Sequence, residues 1–149
     1  MSNINPDNKV KQLLDRLNKI DQKAILIKVI QENEIKLIDV LRDQMRMGLS
    51  GSGDIQPGYF PAYLNYKKSL SSYNAGNKVD LYLTGNFQNT MFIRISGTQY
   101  EFDSRDWKRT DLLEKYGEDI FALNSLSKEL GQELITPKYL EEYAKELNA

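Results

Sequence analysis

The stretch Met91-Phe92-Ile93-Arg94-Ile95-Ser96-Gly97-Thr98-Gln99-Tyr100-Glu101-Phe102-Asp103 decides the fold class. Met91, Ile93 and Ile95 alternate with Phe92, Arg94 and Ser96, the period of two that a pleated strand imposes on its side chains. Ser96-Gly97-Thr98 supplies a tight turn, and Gln99 to Asp103 alternate again. The segment therefore reads as a β-hairpin over about 90–103. Helical spacing dominates on both sides of it. The expected class is α+β: amino-terminal helices, a small antiparallel sheet with short helices, and a carboxy-terminal helix.

Upstream, Val10, Leu13, Leu14, Leu17 and Ile20 follow the i, i+3, i+4, i+7 rule of an amphipathic helix. Asp21 is an N-cap candidate for the next one, because its carboxylate can accept from unpaired backbone amides. That helix opens on the apolar run Ala24–Ile30, which leaves little polar face and implies burial on most sides. Leu37, Ile38, Leu41 and Met45 then form a one-sided stripe. The helix runs unbroken to Met47 or bends near Glu32-Asn33-Glu34; the residues allow both. Gly48-Leu49-Ser50-Gly51-Ser52-Gly53 stops it, and a loop continues to Pro61.

Beyond that loop, the first half of Val79–Gly85 suits a short extended piece, and Thr84 is placed to cap a helical turn at Gly85–Asn89. After the hairpin a short helix is expected through Leu112, Leu113 and Tyr116, starting at Asp106 or Thr110 and stopped by Gly117. Asp119-Ile120-Phe121-Ala122-Leu123 reads as a third strand. Thr136-Pro137 marks the start of the closing helix, with a capping hydroxyl and proline at the first helical position. Leu140, Tyr143, Ala144 and Leu147 would give it an apolar face. Residues 1–8 read as a mobile amino-terminal segment, and 9–149 as one domain of a size that holds its own core.

Composition removes whole classes of chemistry. The 149 residues include no cysteine and no histidine, which excludes disulfides, zinc-thiolate sites and every Ser-His or Cys-His dyad. The net charge of −1 lacks the basic excess of a general nucleic-acid binder. From Asp111 to Ala149 nine acids face four bases, so this end carries −5. It reads as a solvated surface or a face for a basic partner. No apolar stretch is long enough to span a bilayer, and the start of the chain does not read as a signal peptide.

The remaining constellations are weak as catalytic signals. Asp103, Asp106 and Asp111 lack the spacing of a calcium loop and lie among Arg105, Lys108 and Arg109, which would pair with them. Glu101 and Asp103 share a strand face, as a carboxylate pair for hydrolysis would, but no pocket signature accompanies them. Glycines 48–53 follow a helix and precede no lysine, unlike a phosphate loop. Trp107, the single tryptophan, reads as a packing residue. No enzyme, metal or cofactor is expected. The aromatic group Tyr59, Phe60, Tyr63, Tyr66 and Tyr73 is the candidate protein interface, because aromatics concentrate at binding hot spots. With Lys67-Lys68 it also resembles a weak single-strand nucleic-acid platform.

The order of features from Leu41 to Ile93 resembles small neck and tail-completion proteins of tailed bacteriophages, the head–tail connectors. A helix carrying Gln44 leads to the glycine-bearing loop 48–58, then to Tyr59-Phe60-Pro61-Ala62-Tyr63 and Lys67-Lys68. Leu83-Thr84-Gly85-Asn86-Phe87 matches the family's hydrophobic-Thr-Gly-X-hydrophobic turn, with Leu83, Thr84, Gly85 and Phe87 as its motif residues. Glu114 to Leu123 is similar to a segment of such proteins in phages of Bacteroidetes hosts. An aromatic pair, Tyr59-Phe60, stands where the family usually has tryptophan. The amino-terminal helical region is also longer than the family's. The resemblance implies a virion protein made in the host cytoplasm: a cyclic homo-oligomer in the neck, touching the portal or tail proteins, with at most passing DNA contact, no membrane and no cofactor. The alternative is a small cytoplasmic adaptor or regulator binding one protein partner or nucleic acid.

Overall fold

The computed structural model describes residues 6–70, 78–97 and 99–149. The fold is α+β, with helices dominant and two small antiparallel two-stranded sheets. Helix α1 (Pro6–Lys19) and helix α2 (Gln22–Glu32) are separated by Asp21, whose side chain accepts from the Ala24 amide at 3.0 Å. This is the expected cap. Helix α3 (Glu34–Arg46) follows after a break at Asn33, which is buried and donates from Nδ2 to the Val29 carbonyl at 2.8 Å. The bend is thus the alternative realised. Residues Pro6–Asn8 of the segment read as mobile belong to α1, and 1–5 lie outside the described residues.

Helix α3 is the centre of the core. Leu37, Ile38, Leu41, Gln44 and Met45 are buried along one face, against helix α7 (Ser125–Leu147) and strands β1 (Leu49–Ser50) and β3 (Met91–Ser96). Strand β3 pairs with β4 (Gln99–Ser104), with Met91 opposite Ser104 and Ser96 opposite Gln99. Gly97, at φ 62°, makes the turn; Thr98 lies outside the described residues. Phe102 and Met91 send their side chains into the cluster that contains Leu37, Leu41, Ile55, Val79 and Phe87.

Several expectations are corrected, and one helix, at Pro61–Lys68, stands where the residues assigned no element. The glycine segment 48–53 is not plain loop: β1 and β2 (Gly53–Asp54) form a minimal hairpin. Pro61–Lys68 is a helix, α4, with proline at its first turn. The expected third strand at 119–123 is a 3-10 turn, Glu118–Phe121. Ile120 is fully buried, and the Asp119 carbonyl accepts both from the Ala122 amide at 3.1 Å, closing the turn, and from the Gly51 amide at 2.9 Å.

The closing helix, in turn, begins eleven residues before Thr136, where Asn124 caps it by accepting from the Ser127 amide at 2.9 Å. Pro137 lies inside it on the exposed side, where an unpaired carbonyl four residues back can be met by water. Ser127 and Gly131 are buried, and Leu134 and Ile135 pack against the core, so tertiary burial outweighs the local stop signal. Leu140 and Ala144, expected on the inner face, are exposed.

Candidate functional site

Burial of one ion pair organises the surface that the sequence singled out. Lys67, on α4, is 2% exposed, and its Nζ donates to Asp80 Oδ1. Asp80 also accepts from the Tyr82 amide at 3.2 Å and from the Tyr59 hydroxyl at 3.4 Å. The Tyr59 hydroxyl in turn accepts from the Leu81 amide at 3.2 Å, and the Asp80 carbonyl accepts from Gln88 Nε2 at 2.8 Å. A buried charge survives only when it is paired and hydrogen-bonded. Asp80 Oδ1 accepts from three donors here, while Gln88 Oε1 is buried without a partner among the described residues. The network fastens the aromatic helix to the chain from Asp80 to Phe87. Leu81 takes φ 55° there, a backbone that branched or bulky residues rarely adopt.

Between these parts lies a cleft of about 300 Å³. Tyr59, Phe60 and Tyr63 make one wall, and Leu81 to Phe87 the floor. Helix α6 (Arg109–Tyr116) supplies Leu112, Lys115 and Tyr116 as the other wall. The rings of Tyr59 and Tyr63 meet edge to face at 4.8 Å, and Lys67 Nζ sits 5.2 Å from the Tyr59 ring centre. Burial, then the Asp80 charge, pushes the Tyr59 hydroxyl far above the ordinary tyrosine range. Burial and then Tyr63 push Tyr116 up to about 12. The lining is apolar, and its rim carries two acids, Asp106 and Asp111, and two bases, Lys108 and Lys115.

The family-motif residues all reach this cleft. Leu83 and Thr84 line it, and Phe87 is buried behind it, 5.7 Å from the Phe121 ring. Gly85 stands at φ 86° as the residue before the short helix α5 (Asn86–Asn89), and a Cβ there would come within 2.8 Å of the Tyr82 hydroxyl oxygen. Thr84 Oγ1 accepts from the Asn86 amide at 3.4 Å, but the capping position is taken by Gly85, so Thr84 does not cap the turn as expected.

The candidate interface aromatics divide. Tyr59 and Tyr63 are half-buried wall residues, whereas Phe60 and Tyr66 are exposed. Tyr73 lies outside the described residues. Trp107 is not a packing residue: it is 80% exposed beside the rim. Lys67 cannot serve a nucleic-acid platform, because its charge is spent inside on Asp80. Lys115 and Tyr116, missed by sequence reasoning, complete the cleft; no local pattern marks residues that meet only after folding.

The acidic residues have structural work. Asp103 is buried between Arg94, at 2.5 Å, and Arg109. Burial would raise its carboxyl, but the Arg109 hydrogen bond, the Ser104 amide and the Arg94 charge outweigh that and hold it below the usual range. Glu101 is exposed, so the two share a strand without forming a working pair. Asp106 accepts from Asn86 Nδ2 at 2.5 Å and from the Lys108 amide at 2.7 Å. No acidic group suited to a metal ion occurs among the described residues, and no helix among them is long and apolar enough to cross a membrane. Comparison with family models, with curated proteins and with solved structures gives no match.

Proposed function

We propose that this chain is a structural protein of a tailed-phage neck, a tail-completion subunit. Many copies would form a ring that joins the portal-capped head to the tail and surrounds the DNA channel. It has no catalytic role and needs no cofactor.

One observation carries the reading. The aromatic segment 59–63 and the turn 83–87, twenty residues apart and both picked out by the resemblance, are the wall and floor of a single apolar cleft. Exposed Phe60 and Trp107 stand beside it. Aromatic anchors around a concave apolar surface are what a protein partner's side chain fills. A ring built by rotation joins one face of each copy to a different face of the next, and a cleft of this kind supplies the concave half. The near-neutral net charge also suits a passage for DNA that should not hold it.

The test is mass analysis of purified particles. The chain should be present in a fixed multiple relative to the portal. Particles complete in head, neck and tail that lack it would end the reading.

A further inference from the structure

Helix α1 touches α7 within its own chain, but part of each helix stays exposed, and the chemistry of these two exposed faces is complementary. On α1, Val10, Leu13 and Leu14 are 58%, 46% and 52% exposed, although their spacing is that of a core-facing stripe. Only the end of the stripe, Leu17 and Ile20, is half-buried. Lys9 and Arg16 edge it on one side and make no ion pair among the described residues, while Asp7 and Lys11 lie toward the other side. On α7, Leu126, Leu130, Pro137 and Leu140 recur at i, i+4, i+11 and i+14 and so share one face, turned away from buried Ser127 and Gly131. Glu129 and Glu141 edge that face, and Glu133 lies within it between Leu130 and Pro137. Glu129 and Glu133 likewise make no ion pair among the described residues.

We propose that α1 of one copy docks by its apolar, base-edged face on the apolar, acid-edged face of α7 of a second copy. Charge complementarity selects this occupant. A second apolar hollow lies between α2 and α7, lined by Leu26, Ile95 and Ile135, but Lys23 is its only charged lining residue and would repel α1. The two faces differ, so the contact is heterologous and propagates from copy to copy. A single helix-on-helix contact falls below the roughly 1,200 Å² of a stable interface, which makes an isolated pair weak and a closed ring cooperative. The inference names a seam of the ring proposed above and rests on that reading.

The chain's lack of cysteine gives a clean test. Leu13→Cys and Leu130→Cys variants of the full chain are mixed and oxidised at high concentration. A disulfide dimer containing one of each is expected, formed roughly tenfold more than between Leu13→Cys and a Glu114→Cys control. Glu129→Lys with Glu133→Lys should suppress it, and adding Lys9→Glu with Arg16→Glu on the partner should restore it. The double variant Leu13→Cys/Leu130→Cys should give ladders of linked chains. Equal linking to the control, insensitivity to charge reversal, or an internal bridge within one chain would overturn the seam. The measurement uses purified chain, so its failure leaves the neck assignment standing. Absence from particles would instead sink the neck assignment and leave any measured dimer intact.

Discussion

Lys67 and Asp80 meet inside the protein, each side chain only 3% exposed, and so bind the aromatic helix α4 to the turn carrying Leu83 to Phe87. The pair lies thirteen residues apart in the chain. It ties two of the cleft's sides together within the folded chain.

Removing one partner should therefore be costly. Lys67→Met leaves a buried carboxylate without its cation, and the expected loss is about 3–5 kcal/mol of unfolding free energy. Denaturant unfolding followed by circular dichroism measures it. A loss within error of zero would mean that the pair is not buried in solution.

Gly85 offers a separate check on the turn. Its φ of 86° suits glycine, and Gly85→Ala should cost about 1–2 kcal/mol from the left-handed backbone alone. Crowding against the Tyr82 ring adds to this. The same substitution at Gly58, which has open space and no positive φ, should be nearly neutral.

Alkaline titration reads the cleft directly. Burial raises Tyr59, Tyr63, Tyr100 and Tyr116 above the ordinary tyrosine value. A raised folded-state value stabilises the native chain below the unfolded value of about 10 and loses that contribution as pH climbs through the folded one. Absorbance at the tyrosinate band should show Tyr59 still protonated until the chain unfolds. In a Tyr59→Phe variant the late-ionising component should shrink by one tyrosine, with Tyr116 still ionising late.

The acid side depends on Asp103, whose carboxyl is held below its usual range. A depressed folded-state value stabilises the protein above the unfolded value of about 3.9 and is lost as pH falls through the folded one. Arg109→Gln should move the acid unfolding midpoint to higher pH, because the remaining cation, Arg94, is more exposed. The loss of unfolding free energy should be larger at neutral pH than below pH 4, where the Asp103 carboxyl becomes protonated in the folded chain as well.

Much of this was legible in the residues. The alternation from Met91 to Asp103 gave the hairpin, and Asp21 and Leu37–Met45 gave the cap and the central helix, because these signals are local. The third strand and the late start of the closing helix failed for one reason. Ile120 and Gly131 are placed by contacts with distant residues, and tertiary burial overrode the nearby propensities. The site was half legible: composition exposed the aromatics, and the family resemblance singled out the Leu83–Phe87 turn. Nothing local marked Lys67 as buried or Tyr116 as the facing wall. The amphipathic spacing of α1 was correct, yet it identified a face left bare and not one buried in the core.

The most direct test of the account is particle incorporation of a variant that spoils the cleft without touching its supports. Phe60 is exposed, so Phe60→Asp should fold with near wild-type stability. Quantitative mass spectrometry of purified particles should then find the wild-type chain at constant copy number and the variant depleted or absent. Equal incorporation of the two would contradict the claim that this cleft is covered by protein in the assembled neck.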